Sequence, residues 1–112
     1  MKELPILHKL TLIYKTFYLY LASFPQKDKY SLGNKCESYI ISTLELLLTA
    51  EYASKDQKLQ LIRQASVKFD MLKFFIRLAW ELKILDQKKY ILLEAELQEI
   101  GRQLGGWQRS LK

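Results

Sequence analysis

The stretch of residues 67–85, VKFDMLKFFIRLAWELKIL, is more apolar than one helix of a small monomeric bundle needs to be. Wound as an α-helix at about 100° per residue, it has a single narrow polar strip. The strip comprises Asp70, Lys73, Arg77 and Glu81. A bundle helix buries an apolar stripe only somewhat wider than about 100°, so something else must cover the surplus. We predict that a second copy of the chain covers it and that the protein is a homo-oligomer.

Two groups of apolar residues are predicted to form the contacts between subunits. The first group flanks the polar strip and comprises Phe69, Phe74, Ile76, Leu78 and Trp80. The second group lies in the first predicted helix, where Leu12 and Leu19 are seven residues apart. These leucines share a side of that helix with His8 and Lys15, which should face water. Their position indicates a second contact surface.

The composition fits one helical domain, which we assign to residues 1–112, a mass of 13.3 kDa. Hydrophobic residues make up 49% of the chain, which is enough for a core. Residues 4–24 form the most apolar segment, but Lys9 and Lys15 interrupt it, so we reject a membrane span. No signal-peptide cleavage site follows an apolar segment. The single cysteine excludes an internal disulfide and favours a cytoplasmic location.

Helical periodicity and three short breaks predict four helices, over approximately residues 5–24, 29–53, 55–85 and 87–110. Pro25 ends the first helix because proline cannot continue the helical hydrogen-bond ladder. Asp28, Ser54 and Asp86 are predicted to cap the following three helices by accepting bonds from unpaired N–H groups. Short breaks make consecutive helices antiparallel. The prediction is therefore an all-α, up-down-up-down antiparallel four-helix bundle. Its assembly as a ring-like homo-pentamer is predicted from the family resemblance described below.

The sequence offers no constellation of residues suited to catalysis or metal binding. With one histidine and one cysteine, it cannot build a multi-histidine or zinc site. It has no P-loop, no dinucleotide-binding glycine fingerprint and no Glu-x-x-His pair. Cys36 and His8 are formally a nucleophile and a base, but Cys36 falls on a buried stripe and His8 on an outer side. We predict a non-enzymatic protein without cofactor or metal.

Basic residues are the remaining functional candidates, since a net charge of +6 and a pI near 9.4 favour a polyanionic partner. The candidates are Lys73, Arg77, Lys83, Lys88, Lys89, Arg102 and Arg109, and a further cluster near the first break comprises Lys27, Lys29 and Lys35. The alternative interpretation is an ordinary solvated surface with local ion pairs, such as Asp70 with Lys73 and Arg77 with Glu81.

A symmetric ring would repeat each basic patch in every subunit and join the patches into a band that neutralises phosphates. The pattern contains no evident base-reading element or stacking platform. RNA or DNA binding is therefore predicted to be electrostatic and largely indifferent to sequence.

Three glycines, Gly101, Gly105 and Gly106, fall inside the fourth predicted helix. Each costs about 1 kcal/mol relative to alanine, so they must permit close helix packing, a bend or an early end. Packing within one subunit, with Trp107 as a core plug, and close packing between subunits both fit.

The last third of the chain resembles a known family. The stretches MLKFFIRLAWELKILDQKKY (71–90) and EIGRQLGGW (99–107) resemble the accessory variability determinant (Avd) proteins of diversity-generating retroelements. The order of elements is the same: an aromatic-rich third helix, a short turn before a Tyr, and a glycine-punctuated fourth helix ending in Trp. The stretch LPILHKLTLIYKTFYLYLASFPQKDKYSLGNKC is similar to the Tyr-rich first helix and basic turn of that group, so the resemblance covers nearly the whole chain.

The resemblance implies a small basic bundle that assembles as a pentameric barrel. It also implies binding of RNA and DNA through basic surface, and association with the reverse transcriptase of the retroelement during error-prone cDNA synthesis. The basic residues that it implicates within the matched stretches are Lys73, Arg77, Lys83 and Arg102. The apolar flanks of the third helix would hold the ring together.

Two alternatives stay open. A related group is the four-helix bundle protein encoded within intervening sequences of bacterial 23S rRNA genes, which shares the bundle and the ring. That group usually carries a tract similar to Asn-Ile-Ala-Glu-Gly near the end of helix two. This chain reads LLLTAEY at 46–52, without the glycine, which favours the retroelement. The other alternative is a purely structural oligomeric scaffold whose charge serves solubility.

Overall fold

The computed structural model describes residues 4–111, which form four long helices and no strand. α1 spans Pro5–Leu21. α2 begins with a short α-helical piece, Gln26–Asp28, passes through a π-helical segment, Lys29–Gly33, and continues as an α-helix over Asn34–Glu51. α3 spans Lys55–Glu81 and α4 spans Gln87–Ser110. The all-α class and the four-helix architecture predicted from the sequence are confirmed.

The four helices pack as a closed square. Each helix packs on its neighbours in the chain, most extensively α2 on α3, and α1 also packs on α4. α1 and α3 therefore lie on a diagonal. The connections 22–25, 52–54 and 82–86 are short, so consecutive helices run antiparallel. The connections 22–25 and 82–86 consequently lie at the same end of the bundle, which we call the two-turn end.

The core is built by one apolar stripe from each helix. Its largest fully buried side chains are Leu7, Leu10, Phe17, Ile40, Leu47, Ile62, Phe69, Leu72, Ile76, Leu85, Leu93 and Leu97. Burying a side chain of this size stabilises the fold by about 1.5–3 kcal/mol. The one buried polar side chain in the described range, Thr43, donates its hydroxyl to the Tyr39 carbonyl at 2.7 Å, so it carries no unpaired group.

The first break differs from the prediction. α1 ends at Leu21, and Pro25 rather than Asp28 is the N-cap of α2. Residue 28 already lies inside the helix and makes no side-chain capping bond, so its assignment as the cap was wrong. The reason is that proline favours the start of a helix as strongly as it ends the preceding one. Phe24 turns inward here, and its ring packs edge-on against Phe17 at 5.8 Å.

Gly33, at the end of the π-helical segment, permits a close approach of α2 to α1. A Cβ at this position would overlap Leu21 Cδ1 and would lie 3.2 Å from the Asp28 carbonyl oxygen. Gly101 in α4 is different, because a Cβ there would make an ordinary 3.5 Å contact with Phe69 Cε2.

We expect Gly33→Ala to lower the free energy of unfolding by about 1–2 kcal/mol, because overpacking outweighs the helix propensity of alanine. Gly101→Ala is the matched control, and it should raise stability by up to about 1 kcal/mol. Urea denaturation at one fixed protein concentration measures both. Equal effects of the two substitutions would show that steric contact does not decide whether alanine raises or lowers the free energy of unfolding.

The caps of α3 and α4 are as predicted. The Ser54 hydroxyl accepts a hydrogen bond from the Gln57 N–H at 3.4 Å, and the Asp86 carboxylate accepts one from the Lys89 N–H at 2.8 Å. Each bond satisfies a backbone N–H that has no partner within its helix.

The end of α3 lies earlier than predicted, at Glu81 instead of residue 85. Lys83 has a φ of 63°, in the left-handed region. Its N–H donates to the Trp80 carbonyl and that of Ile84 donates to the Ala79 carbonyl, both at 2.9 Å, which is a Schellman motif. The turn returns Leu85 to the core, where it is buried. Sequence periodicity missed this end because glycine usually occupies the left-handed position.

We expect Lys83→Gly to raise the free energy of unfolding by about 1 kcal/mol, since a side chain in the left-handed conformation costs about 1–2 kcal/mol. Lys83→Ala removes the same charge but keeps the Cβ, so it should leave stability nearly unchanged. Thermal unfolding of the two variants compares them directly. A gain with alanine as large as that with glycine would assign the effect to charge and not to the backbone.

Candidate nucleic-acid and subunit interfaces

An apolar stripe runs along the side of α3 that faces away from the core. It comprises Val67, Met71, Phe74, Leu78 and Leu82, and we call it the α3 outer stripe. Phe74 is 53% exposed and Leu82 is 60% exposed, while Leu78 is half-buried. The residues recur every three or four positions and so lie in one row. A row of this length on a single exposed helix face is typical of a surface that another molecule covers.

Two residues predicted to lie between subunits are instead in the core of one subunit. Phe69 is 1% exposed and Ile76 is 0% exposed, so neither can contact a partner, and the prediction was wrong for both. Both flanks of the polar strip are apolar in the sequence, and periodicity does not say which flank faces the other helices. In the fold, the flank that contains Phe69 packs inward, while the flank that contains Phe74 faces outward.

Trp80, a third predicted contact residue, belongs to the junction between α3 and α4. Its ring stacks on Tyr90 with a centroid distance of 4.6 Å and an interplanar angle of 8°. The indole N–H donates to the Gln87 Oε1 at 2.8 Å. Trp80 is therefore held by contacts within its own chain, on the other side of α3 from the α3 outer stripe.

A second apolar area lies on α1, diagonally opposite α3, and extends onto the neighbouring α4. Leu12 is 46% exposed and Leu19 is 69% exposed, on the outer side of α1 as predicted. Leu12 and Leu92 line a groove of about 340 Å³ between α1 and α4, and Ile91 lies beside it, 54% exposed. The contact residues predicted from the sequence did not include Ile91 and Leu92.

Three of the predicted nucleic-acid contacts carry a carboxylate partner on their own helix. Lys73 lies 3.4 Å from Asp70, Arg77 lies 3.8 Å from Glu81, and Arg102 pairs with Glu99. The first two pairs are those that the solvated-surface interpretation named, and that part of it is confirmed. Exposed pairs of this kind add little stability, but each carboxylate offsets the positive charge that a phosphate would meet.

The other basic residues fall into two locations. Lys83, Lys88 and Lys89 lie at the two-turn end, and Arg109 lies near the opposite end of α4. Within residues 4–111, no carboxylate lies within ion-pair distance of these four. The Lys89 ammonium sits 5.2 Å from the centre of the Tyr20 ring, which joins the start of α4 to the end of α1.

The fold brings two separate basic clusters of the sequence to the two-turn end. Lys27 and Lys29 follow the connection 22–25, Lys35 lies one to two turns further along α2, and the cluster at 83–89 spans the connection 82–86. Antiparallel neighbours place these connections side by side. The two-turn end is therefore the most continuous concentration of unpaired positive charge in the described structure, and it has the character of a phosphate-binding surface.

The three glycines of α4 do not end the helix, which continues through Gly101, Gly105 and Gly106 to Ser110. A Cβ at Gly105 would lie 3.3 Å from Arg109 Nη1, the free end of a flexible side chain. Neither this contact nor the one at Gly101 forbids alanine. Packing within one subunit, where Trp107 does rest against the core, thus leaves the glycines unexplained. Close approach of a second molecule along α4 stays a prediction.

The two residues considered for nucleophilic chemistry, Cys36 and His8, lie in different environments. Cys36 is fully buried, and burial raises the pKa of its thiol to about 12, so the thiolate does not form at neutral pH. His8 is exposed on the outer side of α1. In residues 4–111, no group of three or more His, Cys, Asp or Glu side chains is arranged to hold a metal ion. None of the helices in this range is both long and apolar enough to span a bilayer.

The fold and these surfaces define a small, basic helical bundle with apolar outer faces on two diagonally opposed helices. Residues 4–111 match the family described as bAvd-like, and the chain belongs to that family. The match confirms the resemblance drawn from the last third of the sequence and identifies an accessory protein of the bAvd type. No curated protein matches the chain.

Proposed function

We propose that this protein is a non-enzymatic, cytoplasmic accessory protein of a diversity-generating retroelement. It holds the reverse transcriptase and its template RNA together while mutagenic cDNA is made. The observation that carries the proposal is the bAvd-like match over residues 4–111, almost the entire chain. The basic two-turn end and the two apolar outer faces supply surfaces for nucleic acid and for protein.

The proposed assembly is a homo-oligomeric ring, a pentamer as in the family resemblance. Its support is the placement of the two apolar areas. The α3 outer stripe and the leucines of α1 belong to helices on a diagonal of the bundle, so they face in different directions. A two-fold dimer joins like surfaces, whereas a ring of more than two subunits joins two different surfaces head to tail. Two unlike apolar faces on one subunit are what a ring requires.

Nucleic acid would bind mainly at the two-turn end of each subunit. Lys83, Lys88 and Lys89 lie there without carboxylate partners, whereas Lys73, Arg77 and Arg102 are locally paired. In a ring these ends repeat, so one RNA or cDNA strand can touch several subunits. Repeated contact raises the effective concentration of template near the polymerase without any chemistry in this protein.

The test is reconstitution with the neighbouring reverse transcriptase. The two proteins should co-purify, and primer extension on the RNA of the element should give cDNA from a defined start only when this protein is present. Unchanged yield and start site in its absence would refute the retroelement role. The 23S intervening-sequence protein would then be the better explanation if the gene lies in an rRNA operon, and a structural scaffold if it does not.

A further inference from the structure

The two-turn end contains an aromatic surface that is fixed in place before any ligand arrives. One neighbour, Tyr90, stacks in parallel on Trp80 at 4.6 Å, and another, Gln87, accepts the indole N–H at 2.8 Å. These two contacts come from α4 and fix both the plane and the rotation of the indole. Trp80 nevertheless stays only half-buried. A rigid, partly open ring loses little side-chain entropy when another flat group stacks on it.

A cavity of about 620 Å³ opens beside this ring. It is lined by Trp80, Glu81, Lys83, Leu85, Asp86 and Gln87. Sites for small organic ligands span about 300–1,000 Å³ and combine apolar walls with a few polar groups. The indole and Leu85 supply the apolar part here, while the amide of Gln87 and the ammonium of Lys83 supply the polar part. A base with its attached sugar and phosphate fits this volume and this mixture.

The charge of the cavity favours an anion despite its two carboxylates. The Asp86 carboxylate already accepts the Lys89 N–H at 2.8 Å, and Glu81 lies 3.8 Å from Arg77. Lys83 is exposed and has no ion-pair partner among the described residues. Lys88 adds a second exposed ammonium one residue beyond the cavity wall. Within residues 77–89, the four cations Arg77, Lys83, Lys88 and Lys89 outnumber the two carboxylates Glu81 and Asp86, so the net charge around the indole is positive.

The backbone at Lys83 is an independent observation. Its φ of 63° is a conformation in which glycine would be unstrained, yet the chain places a lysine there. Strain of this kind is concentrated at positions where function requires a particular side chain. A lysine at this point of the turn keeps a cation at the edge of the cavity that Trp80 lines.

The geometry points to a binding site for an unpaired nucleobase, stacked on Trp80, with its phosphate held by Lys83 and Lys88. The inference rests on the proposed nucleic-acid binding and makes it specific, because only single-stranded RNA or DNA can offer an unstacked base. It differs from the sequence-based expectation that the protein has no evident stacking platform. Trp80 and Tyr90 are ten positions apart and meet only because the α3–α4 turn folds one helix back on the other.

The first experiment compares single-stranded and duplex probes. A fluorescent twenty-nucleotide oligo(dT) and a duplex of equal length are titrated into the full-length protein at low salt. We expect Trp80→Leu to weaken single-strand binding about 10-fold, within the range that stacking contributes, and to leave duplex binding unchanged. Trp80→Phe should restore most of the affinity. Trp107→Leu is the control, because it removes the other indole, in the C-terminal half of α4, and should not alter binding.

A second readout avoids substituting Trp80. In Trp107→Phe, Trp80 is the only tryptophan, so its fluorescence reports on this ring alone. Single-stranded DNA should quench it in proportion to occupancy, and duplex should not. Circular dichroism and sedimentation of each variant check that fold and assembly are unchanged.

Binding of the single strand with no quenching, and with no loss in Trp80→Leu, would overturn the stacking site while leaving electrostatic binding intact. Absence of binding to either probe would overturn both the site and the nucleic-acid part of the proposed function. Loss of polymerase binding in Trp80→Leu without any effect on the probes would instead assign the ring to a protein contact and refute the inference.

Discussion

Phe74→Glu is expected to convert the assembly into folded monomers. Phe74 is 53% exposed in one subunit, so the folding of that subunit does not depend on its phenyl group. In the proposed ring the same side chain is desolvated against a neighbour, where an unpaired carboxylate is strongly unfavourable. We expect the dissociation constant of the assembly to rise at least about 100-fold, equivalent to about 3 kcal/mol or more per contact. Sedimentation equilibrium at micromolar concentration should then give a mass near 13 kDa in place of a multiple of 13.3 kDa.

Ser38→Glu is the matched control for this prediction. Residue 38 is also exposed, but it lies on α2, outside both the α3 outer stripe and the apolar area of α1 and α4, and the substitution adds the same charge. It should leave the mass of the assembly unchanged, and helical circular dichroism should match the wild type in both variants. If wild-type protein sediments as a monomer, or if Phe74→Glu keeps the wild-type mass, the α3 outer stripe is not a subunit contact.

The second large effect concerns nucleic-acid affinity and its salt dependence. The double variant Lys27→Glu/Lys88→Glu reverses one exposed charge from each of the two clusters that meet at the two-turn end. Removing two phosphate contacts should reduce the slope of log affinity against log salt by about 1.4 for a single strand. Reversal also adds repulsion, so we expect affinity to fall at least about 100-fold at 50 mM salt, measured by fluorescence anisotropy.

The control is Lys55→Glu/Arg109→Glu, which changes the net charge equally but lies at the other end of the bundle. Its effect should be under about 10-fold if position rather than total charge governs binding. Lys73→Glu/Arg77→Glu should be intermediate, since both residues already pair with carboxylates. Equal losses in all three variants would mean that net charge alone attracts the nucleic acid, and the two-turn end would have no special role.

Local sequence signals were sufficient to predict the structure of segments whose conformation depends only on their own residues. Ser54 and Asp86 cap the helices that follow them, as their side chains predict, because a cap needs only the next three residues. The first break shows the limit of such signals. Pro25 is compatible both with ending one helix and with starting the next; in the fold it starts α2, while Phe24 beside it is buried in the core.

The sequence by itself determined the class of the fold, the number of helices, the surplus of apolar surface on α3 and the family to which the chain belongs. It determined these because helical periodicity fixes which residues share a face, and because short breaks leave only antiparallel neighbours. Only the tertiary structure decided what each face touches. It placed Phe69 inside and Phe74 outside, joined two distant basic clusters at one end, and set Trp80 against Tyr90. Those relations depend on how whole helices pack against each other, and no period within one helix encodes them.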